Sequence, residues 1–117
     1  NVVRAVATST RRDRAEPQLT QQALLGRFAA LVGGHEVERG KPAPDIYLEA
    51  ARRLGASAGA CVVLEDSEPG VRAALAAGMM PIMVPDSHPP SADLVAIELL
   101  VLPTLHEVLR HLAALPE

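Results

Sequence analysis

The sequence predicts an α/β fold in which a parallel sheet is covered by helices on both sides. Short apolar runs alternate along the chain with segments whose apolar residues recur at helical spacing, and this alternation is typical of right-handed βαβ units. The 117 residues suffice for one domain with a hydrophobic core. Apolar residues form 49% of the chain but aromatic residues only 2%, so we expect a core of small aliphatic side chains.

The first half of the chain predicts two strands and two helices. The β-branched run at residues 2–8 indicates a strand. Pro17 fits the first turn of a helix, where its missing N–H costs no hydrogen bond, so a helix is expected at residues 18–25. The other predicted elements of this half are a strand at residues 28–32 and a helix at residues 45–54, which Gly55 is placed to end.

The second half repeats the alternation of strand and helix. The continuous apolar run at residues 61–64 predicts a strand buried on both faces of a parallel sheet, and it ends at Glu65 and Asp66. A helix is expected at residues 68–77, with Gly78 at its end. The remaining predicted elements are a strand at residues 80–84, a proline-rich loop at 85–90, a strand at 99–102 and a last helix from the cap Thr104 to residue 112.

Composition and charge exclude several classes of partner. A net charge of −3, without a basic block interleaved with aromatic residues, argues against nucleic acid. No apolar stretch approaches the ~18 residues that span a bilayer, and the N-terminus lacks the pattern of a signal peptide. We therefore expect no membrane partner and a cytoplasmic location. Cys61 lies in an apolar run and is expected to be a buried small hydrophobe.

Four polar residues are predicted to meet at one edge of the sheet. Thr8 ends one predicted strand, and Glu65 and Asp66 end another. Ligands of open α/β sheets bind in the crevice at the carboxyl ends of the strands. Lys41 lies in a loop that leads into the helix at residues 45–54. These three places in the sequence therefore predict a single site.

This combination of residue types suits phosphate chemistry. Phosphoryl transfer requires that the phosphoryl group be positioned and that charge on its oxygens be neutralised. The hydroxyl of Thr8, neighbouring backbone N–H groups and the ammonium of Lys41 could supply both. Mg²⁺ prefers oxygen ligands and keeps several waters, so Glu65 and Asp66 suffice when a phosphate completes its coordination shell.

Each of these residues also has a plainer interpretation. Glu65 and Asp66 could be N-terminal charges that complement a helix dipole. Lys41 could be a solvated surface charge, and Thr8 could form a turn or a cap. The four histidines show no metal-ligand spacing and are interpreted as surface or helix-end residues: His35, His88, His106 and His111.

The combined pattern resembles the haloacid dehalogenase superfamily, in its branch of small-molecule phosphatases and β-phosphoglucomutase-like proteins. The segments that carry the resemblance are Ala-Val-Ala-Thr-Ser at residues 5–9, Gly-Lys-Pro-Ala-Pro-Asp at 40–45, Leu-Glu-Asp-Ser at 64–67 and the small residues that follow through Gly78. The resemblance implies a Rossmann-like three-layer fold. It also implies Mg²⁺-dependent hydrolysis of a small phosphomonoester, for example a sugar phosphate or phosphoglycolate.

The resemblance assigns a role to each matched residue. Thr8 is implied to hydrogen-bond the transferring phosphoryl group, with help from the backbone of Ser9. Lys41 is implied to be the catalytic cation that neutralises the phosphoryl group and the nucleophile. Glu65 and Asp66 are implied to bind Mg²⁺, directly or through water.

Two parts of the family pattern are absent from this sequence. In the family, an Asp-x-Asp-x-Thr/Ser loop after the first strand supplies the nucleophile and the general acid, and a cap domain selects the substrate. Asp13 stands in a different context and is not interpreted as the nucleophile. Residues 1–117 are therefore expected to form an incomplete core domain, its C-terminal part, with the nucleophilic aspartate outside this chain.

Other functions stay open at this stage. A phosphosugar mutase uses the same core residues and differs in its cap and in the fate of the phosphoryl group. A non-catalytic remnant or a phosphate-binding interaction module would keep only the anion pocket. A receiver-like domain would need an acidic cluster after the first strand, and a metal-independent dehalogenase would need a Ser-Asn-x-x-Asp pattern; neither is present. The oligomeric state is not predicted.

Overall fold

A computed structural model of the chain describes residues 3–86, 89–97 and 99–114. Within these residues five β-strands alternate with five α-helices, which confirms the α/β fold. Single turns of 3-10 helix lie at Leu25–Arg27, Gly34–Glu36 and Ala58–Ala60. The elements in order are β1 Ala5–Thr8, α1 Arg12–Gln21, β2 Ala30–Gly33, α2 Asp45–Leu54, β3 Val62–Glu65, α3 Glu68–Ala76, β4 Met80–Met83, α4 Ala92–Ala96, β5 Leu100–Val101 and α5 Leu105–Ala113.

The helix ends with the clearest local signals lie where they were predicted. α2 spans Asp45–Leu54, and Gly55 ends it with a left-handed φ of 68° that glycine adopts without strain. Thr104 caps α5, because its Oγ1 accepts a hydrogen bond from the backbone N–H of Glu107 at 3.1 Å. Local sequence therefore determines these boundaries.

The first helix differs from its prediction. α1 spans Arg12–Gln21 with Pro17 in its interior, so it overlaps the helix expected at residues 18–25 but begins and ends earlier. The earlier start is stabilised by contacts distant in sequence, because the guanidinium of Arg12 donates to the carbonyl of Leu31 at 2.8 Å and pairs with Glu36. These contacts join the first turn of α1 to β2 and compensate for the hydrogen bond lost at the proline.

One helix was not predicted at all. α4 follows the proline-rich loop and is anchored by Leu94, which is buried together with Val71 and Met83. Some predicted features lie outside the described residues: Val2 of the first strand, and residues 87 and 88 of the loop, including His88.

All strand pairs are parallel, but they form two separate half-sheets. β1 pairs with β2, and β4 pairs with both β3 and β5. Among the described residues, no strand pairs with the free edge of β1 or of β3. The two edges face one cavity, since Thr8 of β1 and Leu64 of β3 both line it. We call the space between these edges the gap.

One hydrophobic core under α2 and α3 joins the half-sheets. α2 packs on β1 and β2, α3 packs on β3 and β4, and the two helices contact each other. The buried cluster is built mainly of small aliphatic side chains, as the composition predicts, and contains Val32, Ile46, Tyr47, Ala50, Ala51, Val63, Ala73, Ala74, Ala77 and Met79.

β3 is buried on one face only, which corrects the expectation for residues 61–64. Val63 is 7% exposed, whereas Val62 and Leu64 are 41% and 46% exposed. Side chains alternate between the faces of a strand, and α2 and α3 cover the face that carries Val63. Cys61 is half-buried rather than buried, and its thiol donates to the carbonyl of Ser57.

This asymmetry generates a prediction for a cross-strand pair. Leu64 and Ile82 are register partners on β3 and β4, yet Ile82 is fully buried. We expect Ile82→Ala to lower the free energy of unfolding by about 3 kcal/mol, because it leaves a cavity, and Leu64→Ala to cost about 1 kcal/mol or less. Urea unfolding followed by circular dichroism measures both. Equal losses would mean that the Leu64 face is covered in solution.

Candidate active site

The polar residues selected from the sequence surround one cavity in the gap. Its volume is about 440 Å³. Thr8 and Ser9 lie at the carboxyl end of β1, Glu65 and Asp66 at the carboxyl end of β3, and Lys41 reaches in from the loop before α2. The structure therefore brings the three places in the sequence together. The complete lining is Ala7, Thr8, Ser9, Lys41, Leu64, Glu65, Asp66, Val84 and Leu105.

Lys41 connects the two half-sheets across the gap. Its Nζ lies 2.8 Å from Oε2 of Glu65 on β3 and 3.4 Å from the carbonyl oxygen of Ala7 on β1. Its side chain is only 11% exposed and that of Glu65 only 10%, so solvent screens this ion pair weakly. The plainer interpretation of Lys41 as a solvated surface charge does not fit this environment.

Glu65 is the most heavily hydrogen-bonded side chain of the site. Its Oε2 accepts from Lys41 Nζ and, at 2.6 Å, from the hydroxyl of Tyr47. Its Oε1 accepts from the backbone N–H groups of Asp66 and Ser67 at 3.2 and 3.3 Å, and from Ser67 Oγ at 3.1 Å. Five donors thus fix this carboxylate in one orientation, so it is more than a charge at a helix end.

The protonation of the two acids is shifted in opposite directions. Burial alone would raise the pKa of Glu65, but the hydrogen bonds from Lys41 and Tyr47 and the lysine charge outweigh it and lower the pKa to about 2. Interaction with the Glu65 side chain, then burial, raise the pKa of Asp66. Burial and the bond to Glu65 also raise the pKa of Tyr47. Glu65 is therefore the carboxylate that stays ionised most firmly.

Two glycines permit the close approaches on which the site depends. A Cβ at Gly70 in the first turn of α3 would overlap the carboxyl group of Glu65, so only glycine leaves room for that side chain. A Cβ at Gly34 would overlap the carbonyl of Ser9. The loop after β1 therefore packs directly on the backbone that follows β2.

The hydroxyl of Thr8 lies at the end of β1, on the lining of the cavity. Its Oγ1 accepts a hydrogen bond from the backbone N–H of Thr10 at 3.1 Å. A hydroxyl that accepts in this way still has its own proton to donate. Thr8 is half-buried and the neighbouring Ser9 is exposed, so the end of β1 presents polar groups to the cavity.

The described residues do not by themselves form a complete metal site. Among them, no group of three or more His, Cys, Asp or Glu side chains is placed to hold an ion. Asp66 is exposed, and Asp86 lines a neighbouring cavity with it. Mg²⁺ is commonly held by one or two carboxylates together with substrate phosphate and water. The donor set fits such a shared site and does not form a closed cage.

Sequence reasoning missed one member of the site, Tyr47. The sequence places it in the helix predicted at residues 45–54 and indicates no further role for it. A signal existed, because Tyr47 is the only tyrosine in the chain and follows Lys41 by six positions. The sequence does not show that the first turn of α2 brings the hydroxyl of Tyr47 within hydrogen-bond distance of Glu65.

The fold and the site together define a class of protein. Parallel strands covered by helices gather a lysine, a threonine and two carboxylates at the carboxyl edge of the sheet, which is where open α/β proteins bind ligands. The chain belongs to the haloacid dehalogenase-like hydrolases, because the model of that family matches residues 1–78. A membrane-spanning helix is not found among the described residues, where the longest α-helices have 10 residues.

Individual relatives extend this similarity along the chain. β-Phosphoglucomutase from Bacillus subtilis is 37% identical over 110 residues, which cover 92% of this chain and 48% of the relative. Fructose-1-phosphate phosphatase YqaB from Escherichia coli is 43% identical over 75 residues, or 64% of this chain and 40% of the relative. A crystal structure from Thermotoga maritima, provisionally assigned as a β-phosphoglucomutase, superposes with a TM-score of 0.87 at 34% identity.

The lengths of these proteins differ from that of the chain. The Thermotoga structure is matched over 98% of this chain but over only 54% of its own length. The chain therefore spans about half the length, or less, of the relatives it matches.

The ionisation of Glu65 predicts how stability depends on pH. Its pKa is lowered from 4.5 to about 2 on folding, so its contribution is complete above about pH 4.5 and is lost as the pH falls toward 2. We expect Glu65→Gln to lower the free energy of unfolding by about 2–3 kcal/mol at pH 7. The difference in unfolding free energy between this variant and the parent chain should shrink on acidification, because Glu65 becomes protonated and loses its contribution. The pKa of Asp66 is shifted in the opposite direction, and we expect this to offset only part of the Glu65 contribution.

Urea unfolding at a series of pH values measures this difference. Glu38→Gln is the matched control, because Glu38 is an exposed acid in the loop before Lys41, and it should leave stability nearly unchanged at every pH. A Glu65→Gln deficit that stayed constant from neutral pH to pH 2 would contradict the assigned ionisation.

Proposed function

We propose that this chain carries the phosphate-binding and metal-binding part of a haloacid dehalogenase-type phosphatase that hydrolyses a small phosphomonoester, such as a sugar phosphate or phosphoglycolate. The observation that carries the proposal is the convergence of Thr8, Ser9, Lys41 and Asp66 on one cavity, with Glu65 holding Lys41 in place. Membership of a hydrolase family supports it. So does the similarity to a fructose-1-phosphate phosphatase.

Each residue has a role that its geometry allows. The Thr8 hydroxyl donates to a phosphoryl oxygen, as the hydrogen bond it accepts from Thr10 permits. The Lys41 ammonium has three N–H donors, and contacts to Glu65 and Ala7 occupy two of them. Its third N–H donates to a phosphoryl oxygen, and its positive charge neutralises part of the charge on the phosphoryl group. Mg²⁺ held beside Asp66 and the phosphate would neutralise further negative charge on the phosphoryl oxygens.

The covalent step requires a group that this chain does not contain. In the proposed reaction, the carboxylate of an aspartate outside residues 1–117 attacks phosphorus. An O–P bond forms, the ester P–O bond breaks, and the leaving oxygen takes a proton from the general acid, a second aspartate that also lies outside this chain. Water then hydrolyses the aspartyl phosphate, which releases inorganic phosphate and regenerates the carboxylate. The free edges of β1 and β3 suit one further parallel strand in the gap, and the carboxyl end of such a strand would reach the cavity.

A phosphosugar mutase is the second candidate function. The specific support is the alignment with β-phosphoglucomutase over 92% of this chain. Both reactions would use the same Thr8, Lys41 and Asp66, because they share the transfer of the phosphoryl group to an aspartate. They differ in whether water or a second sugar hydroxyl receives that group.

Binding of inorganic phosphate tests the anion site without requiring turnover. We expect the 117-residue chain to bind phosphate, with Mg²⁺ strengthening the binding, and Lys41→Ala to weaken it about tenfold or more, the factor that corresponds to about 1.4 kcal/mol. Isothermal titration calorimetry measures the affinity. Arg39→Ala is the matched control, because Arg39 is a nearby cation whose side chain is 70% exposed. Equal losses in the two variants would contradict a specific role for Lys41.

Turnover requires the missing nucleophile to be supplied. We expect no hydrolysis of p-nitrophenyl phosphate by the chain alone. A chimera that joins it to the part of Bacillus subtilis β-phosphoglucomutase outside the aligned residues should hydrolyse this ester in the presence of Mg²⁺. Asp66→Ala in the chimera should lower kcat by about 100-fold or more, while Asp93→Ala, on the exposed surface of α4, should not.

The outcomes of this assay separate the candidate functions. Full activity of the Asp66→Ala chimera would contradict the assignment of Asp66. Phosphate binding by the chain together with an inactive, folded chimera would favour a non-catalytic phosphate-binding module. Transfer of phosphate between sugar hydroxyls without net release would favour the mutase.

A further inference from the structure

Tyr47 contacts both charged partners at the centre of the site. It is 6% exposed, and its hydroxyl donates to Glu65 Oε2 at 2.6 Å. The Nζ of Lys41 lies 5.0 Å from the centroid of its ring. The same Oε2 oxygen accepts from Lys41 at 2.8 Å. Tyr47 therefore contacts Glu65 through its hydroxyl and Lys41 through the face of its ring.

These contacts matter because a strong Lys41–Glu65 ion pair would compete with the binding of an anion by Lys41. Two opposite charges that are each about one-tenth exposed attract each other strongly, and a lysine fully committed to a carboxylate is a weaker ligand for an anion. The phenol of Tyr47 hydrogen-bonds to the same oxygen and takes part of its accepting capacity. The face of the ring attracts the ammonium without cancelling its charge, as in other cation–π contacts.

We propose that Tyr47 is a positioning residue that presents the Lys41 ammonium to an anionic ligand, by sharing Glu65 Oε2 with it and by supporting it on the ring face. The proposal rests on the proposed function for the identity of the anion, a phosphate. The simpler alternative is a core tyrosine whose hydroxyl only satisfies its own hydrogen bond. The two differ in whether Lys41 responds to changes at Tyr47.

The composition of the chain provides a direct probe. Lys41 is the only lysine and Tyr47 the only tyrosine in the sequence. Labelling with lysine carrying ¹⁵N at Nζ therefore gives one side-chain ammonium signal, and the near-ultraviolet absorbance of tyrosine reports on one side chain. Both probes observe this site in the 117-residue chain without any catalytic assay.

Three variants separate positioning from stability. Tyr47→Phe removes the hydroxyl but keeps the ring, and Tyr47→Leu removes both. Ile46→Val is the matched control, because Ile46 is the adjacent buried residue of α2, 1% exposed, in the same core cluster. We expect the Lys41 signal to move in Tyr47→Phe and further in Tyr47→Leu, and to stay in place in Ile46→Val even though that variant is less stable.

Titration with inorganic phosphate measures the functional consequence. We expect the phosphate dissociation constant to rise about tenfold in Tyr47→Phe, equivalent to about 1.4 kcal/mol, and by less than about twofold in Ile46→Val. Addition of phosphate to the parent chain should also shift the absorbance of Tyr47, because both contact Lys41. This last measurement needs no variant and applies even if Tyr47→Phe does not fold.

The possible failures are distinguishable. An unchanged Lys41 signal in Tyr47→Phe, or equal effects of Tyr47→Phe and Ile46→Val on phosphate affinity, would overturn the positioning role. If the variants do not fold, a Tyr47 absorbance that stays unchanged when phosphate binds to the parent chain would also overturn the positioning role. If the parent chain bound no phosphate, the proposed function would fail, while the response of the Lys41 signal to the variants would still decide whether Tyr47 positions Lys41.

Discussion

The hydrogen-bonded carboxylate of Glu65 is the interaction on which the rest of this structure depends. Its donors come from three places: the loop of Lys41, the adjoining first turn of α2 at Tyr47, and the turn from β3 into α3, which is distant from the other two in sequence. A charge that is only about one-tenth exposed is costly unless it is paired and hydrogen-bonded. The hydrogen bonds to Glu65 therefore bring together the Lys41 loop, α2 and the turn into α3, and these segments form the site.

The site occupies the gap, which is also the place where the described strands form two sheets and not one. The free edges of β1 and β3 carry no strand partner among the described residues, and open strand edges present unpaired N–H and C=O groups. Two features span the gap: the layer of α2 and α3 above it, and Lys41, which reaches Ala7 on one side and Glu65 on the other. Lys41, which is proposed to bind phosphate, thus also links the half-sheets.

Features that depend on local sequence could be predicted, and features that depend on distant contacts could not. The bounds of α2 and the cap at Thr104 follow from nearby residues, and the location of the site follows from the rule that parallel strands gather their carboxyl ends at one edge. The start of α1 depends on Arg12 reaching β2. The exposure of Leu64 depends on which elements cover its face, and the contact between Tyr47 and Glu65 depends on how α2 packs near the end of β3.

The adjacent acids Glu65 and Asp66 occupy different environments although they are neighbours in one motif. The sequence presents them as an equivalent pair, but Glu65 is engaged by five donors whereas Asp66 is exposed. Interaction with the Glu65 side chain, then burial, raise the pKa of Asp66, so the two acids also differ in how readily they ionise. Glu65 therefore holds Lys41 and the turn into α3, whereas Asp66 is the more exposed of the two acids and the better placed for the proposed contact to Mg²⁺.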